Sequence, residues 1–70
     1  MKIVFNGEDC ELTGSPADPL TVAELLKRHD IDPRQVAVEV NLELAPRTRH
    51  NEWVLGDGDR VEVVTLVGGG

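Results

Sequence analysis

The order of β-prone and helical segments predicts an α+β protein, in which one helix crosses a mixed sheet of four to five strands. Three observations predict this fold class. Short β-rich runs bounded by turn residues occupy both ends of the chain. One amphipathic segment with a helix-capping signal lies between them. The length of 70 residues suits a single domain, residues 1–70, with a small core.

The N-terminal segment predicts a β-hairpin. Residues Lys2–Phe5 are β-prone, and Asn6-Gly7 is a strong signal for a tight turn. A second strand is expected within residues 9–13. It contains Cys10, which we interpret as a small core side chain because its acidic neighbours disfavour a reactive thiolate. Residues 14–19 are rich in glycine and proline and should form a loop.

The helix is expected to begin at Thr21. Thr21 and Glu24 have the spacing of a capping box, in which a hydroxyl and a carboxylate bind exposed backbone N–H groups reciprocally. Leu20 and Leu25 occupy the two positions of a hydrophobic staple. The core-facing stripe consists of Val22, Leu25, Leu26 and His29. The segment from Asp30 to Pro33 should end the helix, because a residue before proline avoids the α conformation.

The second half of the chain predicts three further strands. Val36–Val40 alternates valine with other residues and should be half-buried, and Asn41 should open a turn into a short return strand, Glu43–Ala45. Residues 46–54 are polar and irregular, apart from Trp53, which is either a core anchor or an interface aromatic. A tight turn at residues 56–59 leads into residues 60–67, the longest β-prone stretch.

Composition and charge limit the possible functions. The net charge of −6 argues against nucleic-acid binding and suits either a partner with a basic surface or simple solubility. The apolar run at the N-terminus is too short for a signal peptide or a membrane span. A single cysteine is typical of a reducing compartment, so we expect a cytoplasmic protein that binds no membrane.

The chain shows none of the usual catalytic patterns. His29, His50 and Cys10 do not have the spacing of a zinc motif, and Asp57 and Asp59 are better explained by a turn than by calcium. No nucleophile–base pair or phosphate-binding loop is present. We therefore expect no metal, no bound cofactor and no catalytic residues of its own.

The final block, Leu66-Val67-Gly68-Gly69-Gly70, is the best candidate for function. Glycine has no Cβ, so residues 68–70 form a flexible arm that can thread a narrow channel, and the Gly70 carboxylate is an unhindered acyl group. We therefore expect a carrier that other enzymes act upon. The alternative is a frayed terminus without function.

Several segments together resemble a known family. The chain is similar throughout its length to the ThiS sulfur carriers of thiamine biosynthesis, which belong to the ubiquitin-like β-grasp group. The segments that carry the resemblance are Met1 to Gly7, Thr21 to Leu26, Val36 to Asn41, Pro46-Arg47, Trp53, Asp57 to Val64 and Val67 to Gly70. One departure is Leu42, at a position where the family's Asn-Gly turn leads us to expect glycine.

The resemblance implies a function for the last residues. A ubiquitin-activator-like adenylyltransferase of the ThiF type would use ATP and magnesium to adenylate Gly70. Sulfur from a cysteine desulfurase or another persulfide donor would then form a thiocarboxylate. A thiazole synthase of the ThiG type would take that sulfur, while Gly68 and Gly69 thread into the partner sites.

The same resemblance leaves alternatives open. The last strand offers a possible docking face, formed by Val64, Leu66 and Val67, unless these are simply core residues.

Other functions share the fold and tail: the small sulfur-carrying subunit of molybdopterin synthase and the sulfur carriers of other pathways. A ubiquitin-like covalent modifier and a non-covalent interaction module are the remaining alternatives.

Overall fold

A computed structural model describes residues 1–14 and 17–66, and these contain one α-helix and a five-stranded sheet. The order of strands across the sheet is β2-β1-β5-β3-β4. β1 and β5 are parallel and the other neighbours are antiparallel, so the predicted mixed α+β sheet is confirmed. The elements are β1 (Lys2–Phe5), β2 (Glu8–Glu11), α1 (Val22–Arg28), β3 (Val36–Val40), β4 (Glu43–Ala45) and β5 (Arg60–Thr65).

The N-terminal hairpin is confirmed, although its second strand lies earlier than expected. Asn6 and Gly7 both have positive φ, at 50° and 82°, as a two-residue type I′ turn requires. So short a turn pairs Phe5 with Glu8 directly. The second strand therefore spans Glu8–Glu11, so it begins one residue before the expected range of residues 9–13 and ends within that range.

The helix begins as predicted, with Thr21 as its N-cap. The Thr21 hydroxyl accepts a hydrogen bond from the backbone N–H of Glu24 at 3.1 Å. The Glu24 carboxylate instead accepts one from Arg28 at 3.5 Å, so the structure shows the hydroxyl half of the capping box. Leu20 and Leu25 are both buried, as expected for a hydrophobic staple.

The core lies between α1 and one face of the sheet. Its members share near-complete burial and are Ile3, Leu20, Val22, Leu25, Leu26, Val38, Val40, Ala45, Leu55 and Val61. Cys10 and Trp53 are half-buried and pack against this cluster. The face of the sheet that points away from α1 is called the outer face below.

Residues 46–54 are more ordered than the sequence indicated. They contain a 3₁₀ turn at Arg47–Arg49, and Val54 pairs with Thr21 in an isolated β-bridge. His50 is buried, and its Nε2 donates a hydrogen bond to the Ala45 carbonyl oxygen at 2.8 Å. This contact ties the loop to β4. A second 3₁₀ turn at Pro33–Gln35 precedes β3 and was also not predicted.

The turn before β5 has the predicted polar character. The Asp59 carboxylate accepts a hydrogen bond from the Gly56 N–H, and that of Asp57 accepts one from the Lys2 N–H, each at 2.7 Å. Gly58 has a φ of +87°, which side chains disfavour. Across residues 1–14 and 17–66, no helix has the length and apolar character needed to cross a membrane.

Candidate functional site

The strand that leads to the glycine block is the central strand of the sheet. β5 pairs with β1 on one side and along Val36–Val40 of β3 on the other. Beyond β5, the Leu66 N–H donates a hydrogen bond to the Gln35 carbonyl oxygen at 2.8 Å. The chain continues with four residues that lie outside the described ones: Val67, Gly68, Gly69 and Gly70. The expected flexible arm, residues 68–70, therefore also lies outside the described residues.

Alternate residues of β5 point to opposite faces of the sheet. Val61 is fully buried and Val63 half-buried against the core. Val64 and Leu66 have the opposite parity, and each keeps 55% of its surface exposed. These two members of the proposed docking face therefore lie on the outer face rather than in the core.

Two neighbours that sequence reasoning missed extend this exposed region. Ala37 of β3 lies directly opposite Val64. Leu44 of β4 lies opposite Glu39, two positions along β3 from Ala37, and is 61% exposed. The outer patch is defined here as Ala37, Leu44, Val64 and Leu66. Period-two alternation shows which residues share a strand face, but the neighbours across strands depend on the strand order, which the sequence does not reveal.

The outer patch has an acidic border. Glu39 and Glu62 are paired across β3 and β5, so both carboxylates stand on the outer face beside the patch. Exposed apolar side chains next to carboxylates are typical of a protein–protein contact with a partial electrostatic component. The arrangement can bind a surface of complementary shape and charge.

The side of the molecule opposite the outer patch carries a groove of about 740 Å³. It lies between the end of α1 and the two 3₁₀ turns, and three cations line it: Lys27, Arg34 and Arg47. Asp32 pairs with Arg34 at 2.9 Å, and this hydrogen-bonded guanidinium lowers the pKa of the Asp32 carboxyl from its usual value. Val64 and Leu66, the two predicted site residues that the structure describes, do not line the groove.

The histidines occupy structural positions. His29 is the C-cap of α1, and its ring stacks on Phe5 with a centroid distance of 4.6 Å. His29 is half-buried, which agrees with its expected place in the core-facing stripe of the helix. Over the described residues, no group of three or more histidine, cysteine, aspartate or glutamate side chains is placed to hold a metal ion.

A sequence model of the ThiS family matches residues 3–70. The chain belongs to the ThiS family. The sulfur carrier protein ThiS of Bacillus subtilis (strain 168) is 35% identical over 66 residues, which cover 94% of this chain and 96% of that protein. A thiazole synthase of Paramagnetospirillum magneticum is 41% identical over 70 residues. This ThiS-family chain spans 20% of that synthase's length.

The structural comparison agrees with the sequence match. The crystal structure of the thiamine biosynthesis protein ThiS from Geobacter metallireducens superposes with a TM-score of 0.84 at 32% identity, and the match covers 100% of both chains. The fold is therefore the ThiS β-grasp, as the resemblance implied. The ThiS family does not by itself identify which residues of this chain meet a partner.

Proposed function

We propose that this ThiS-family protein is a sulfur carrier of thiamine biosynthesis that acts through the carboxylate of Gly70. The observation that supports this best is the connection between the anchored strand β5 and a block of three glycines directly after Val67. A rigid body followed by a chain segment without side chains suits presentation of an acyl group to another enzyme's active site. Family membership supports the carrier role.

The proposed chemistry takes place in partner enzymes. A carboxylate oxygen of Gly70 attacks the α-phosphorus of ATP in an adenylyltransferase, and pyrophosphate leaves with magnesium support. The terminal sulfur of a persulfide, supplied by a cysteine desulfurase or another donor, attacks the resulting acyl-adenylate and AMP leaves. A cysteine thiol then cleaves the sulfur–sulfur bond, which yields a disulfide and the Gly70 thiocarboxylate. The carrier is not a catalyst in this scheme and needs no cofactor of its own.

The glycines have two physical roles in this proposal. Three extended residues span about 10 Å, so Gly68 and Gly69 let the acyl group reach a buried site while the globular body stays outside. At Gly70, the missing side chain leaves the carbonyl open to attack, because no Cβ crowds the tetrahedral intermediates. The scheme requires a free carboxylate at Gly70.

The outer patch is the proposed docking surface for the adenylyltransferase. Val64 and Leu66 are exposed and lie just before the glycines, so a partner that holds the arm would cover them, together with Val67. Full burial of an exposed side chain of this kind contributes about 1.5–3 kcal/mol, and covering these half-exposed side chains would contribute about half of that each. Ala37 and Leu44 would extend the contact toward the edge of the sheet.

Thiazole synthase is the proposed sulfur acceptor. A protein named thiazole synthase contains a segment that matches this whole chain, which supports a functional relationship between the sulfur carrier and thiazole synthase.

We place the protein in the cytoplasm, where a lone cysteine such as Cys10 stays reduced.

Intact mass spectrometry tests the proposed function directly. The protein is incubated with ATP, magnesium, a persulfide source and a purified ThiF-type adenylyltransferase. We expect a mass gain equal to the exchange of one oxygen for one sulfur, located by fragmentation at Gly70. No gain with any such enzyme, or a gain elsewhere in the chain, would refute the proposal. Adducts to lysine amines would instead indicate a covalent modifier.

Gly70→Val tests the steric role of the last residue. The substitution is five residues beyond the last residue of β5, so we expect native heteronuclear NMR spectra. We also expect a loss of at least about 100-fold in the rate of thiocarboxylate formation, because the branched side chain crowds the carbonyl. Thr48→Val, at an exposed position in the 3₁₀ turn, is the matched control and should react normally. Normal thiocarboxylation of Gly70→Val would contradict the steric explanation.

A further inference from the structure

The turn between β3 and β4 has an unusual residue for its backbone conformation. Val40 pairs directly with Glu43, so Asn41 and Leu42 alone form the turn. Their φ angles are +53° and +69°, which define a type I′ turn. The second position of such a turn is normally glycine, because any Cβ in this left-handed region is crowded. Leu42 therefore holds a strained backbone conformation.

Leu42 is also the most exposed large hydrophobic residue among those that the structure describes, at 91%. A glycine at this position would remove both the backbone strain and the exposed apolar surface. Strained positions with no structural benefit tend to occur where a contact with another molecule uses the side chain.

The turn is held rigidly against the start of β5. The Asn41 N–H donates to the Arg60 carbonyl oxygen at 2.7 Å, and the Asn41 side-chain oxygen accepts from the Arg60 N–H at 2.9 Å. The Asn41 side-chain amide also donates to the Asp59 carboxylate at 2.9 Å. A side chain that projects from so fixed a turn is preorganised, which lowers the entropy lost on binding.

We propose that Leu42 is a docking anchor that inserts into an apolar pocket of the adenylyltransferase. The inference rests on the proposed function and extends its docking surface. Leu42 lies at the end of the sheet where β5 begins, two residues before Leu44 of the outer patch, and it adds exposed apolar surface at that end. Two carboxylates lie next to the turn, because Glu43 follows Leu42 and Asp59 binds the Asn41 side chain, whereas Arg60 is the neighbouring cation. The balance of charge beside the turn is acidic, so the pocket should be bordered by lysine or arginine.

The same charges argue against a second copy of this chain as the occupant. A symmetric contact through Leu42 would bring the Glu43 carboxylates of the two copies close together. Like charges at an interface disfavour association, whereas a basic rim on a different protein would be attracted.

Leu42→Gly should stabilise the fold and weaken docking, so its effect on docking cannot be explained by a loss of stability. Relief of the strained turn should raise Tm by about 5 °C. Loss of the anchor should raise the KM for the carrier in thiocarboxylate formation by about tenfold, with kcat unchanged. Leu42→Met keeps an apolar side chain and should keep KM within about twofold of wild type.

Val54→Ala is the matched control for loss of exposed apolar surface. Val54 is 55% exposed but pairs with Thr21 on the helix side of the molecule. The KM for the Val54→Ala variant in thiocarboxylate formation should therefore stay within about twofold of wild type. If wild-type protein reacts and Leu42→Gly has an unchanged KM, the anchor is refuted while the proposed function stands. If wild-type protein never forms the thiocarboxylate, the proposed function itself is refuted.

Discussion

At the scale of single residues, the end of α1 shows how a polar side chain can replace glycine. Asp30 has a φ of +59°, in the left-handed region where helices usually place glycine. The Ile31 N–H donates to the Leu26 carbonyl oxygen at 2.9 Å, and the Asp30 N–H donates to that of Lys27 at 3.1 Å. These two bonds form a Schellman motif and stop the helix well before Pro33.

Asp30→Gly should raise the free energy of unfolding by about 0.5–1 kcal/mol, because glycine adopts this conformation without steric cost. Urea denaturation at an unchanged m-value measures the effect. Asp30→Asn is the control, since it removes the unfavourable charge at the helix C-terminus and keeps the side chain. A glycine variant no more stable than the asparagine variant would show that charge, rather than backbone strain, is the relevant cost.

At the scale of whole elements, Asn6 compensates for the shortness of β1. β1 pairs with β5 through Val4 and Phe5 and then turns away. The Asn6 N–H donates to the Val61 carbonyl oxygen at 2.9 Å, and its side-chain oxygen accepts from the Val63 N–H at 2.7 Å. One residue thus forms the turn of the first hairpin and also continues the pairing along β5.

Asn6→Ala should lower the free energy of unfolding by about 2 kcal/mol, because alanine is disfavoured at positive φ and leaves the Val63 N–H without its partner. Asn6→Gly restores the backbone preference alone and should recover about half of that loss. Urea denaturation gives the free energies, and amide exchange at Val63 should become faster in both variants. Unchanged exchange at Val63 would mean that the side-chain bond is unimportant.

Local signals explain why the elements were predictable from sequence, and non-local pairing explains why the outer patch was not. Asn6-Gly7, Thr21 and the valines of Val36–Val40 act through neighbours in the chain, and each produced the expected element. The outer patch depends on the position of β5 between β1 and β3, which is determined by tertiary packing. The sequence around Leu44 does not show that β4 lies next to β3, on the same outer face as Val64 of β5.

At the scale of the whole molecule, the two sides of the sheet differ in charge and in exposed surface. The outer face combines apolar side chains with Glu39 and Glu62. The helix side carries the groove, in which the cations Lys27, Arg34 and Arg47 outnumber Asp30 and Asp32, although the chain as a whole has a net charge of −6. A basic partner should therefore approach the outer face in preference to the groove.

Val64→Lys tests this sidedness. The lysine places a cation in the outer patch and removes an apolar contact, so the KM for the carrier in thiocarboxylate formation should rise about tenfold or more. Asn51→Lys adds the same charge at an exposed position in the wall of the groove, on the helix side, and should leave KM within about twofold of wild type. Steady-state kinetics with the same adenylyltransferase compare the two variants, and NMR spectra check that both are folded. Equal effects of the two substitutions would mean that net charge, rather than the outer patch, governs recognition. A larger effect of Asn51→Lys would assign docking to the groove and overturn the orientation proposed for the complex.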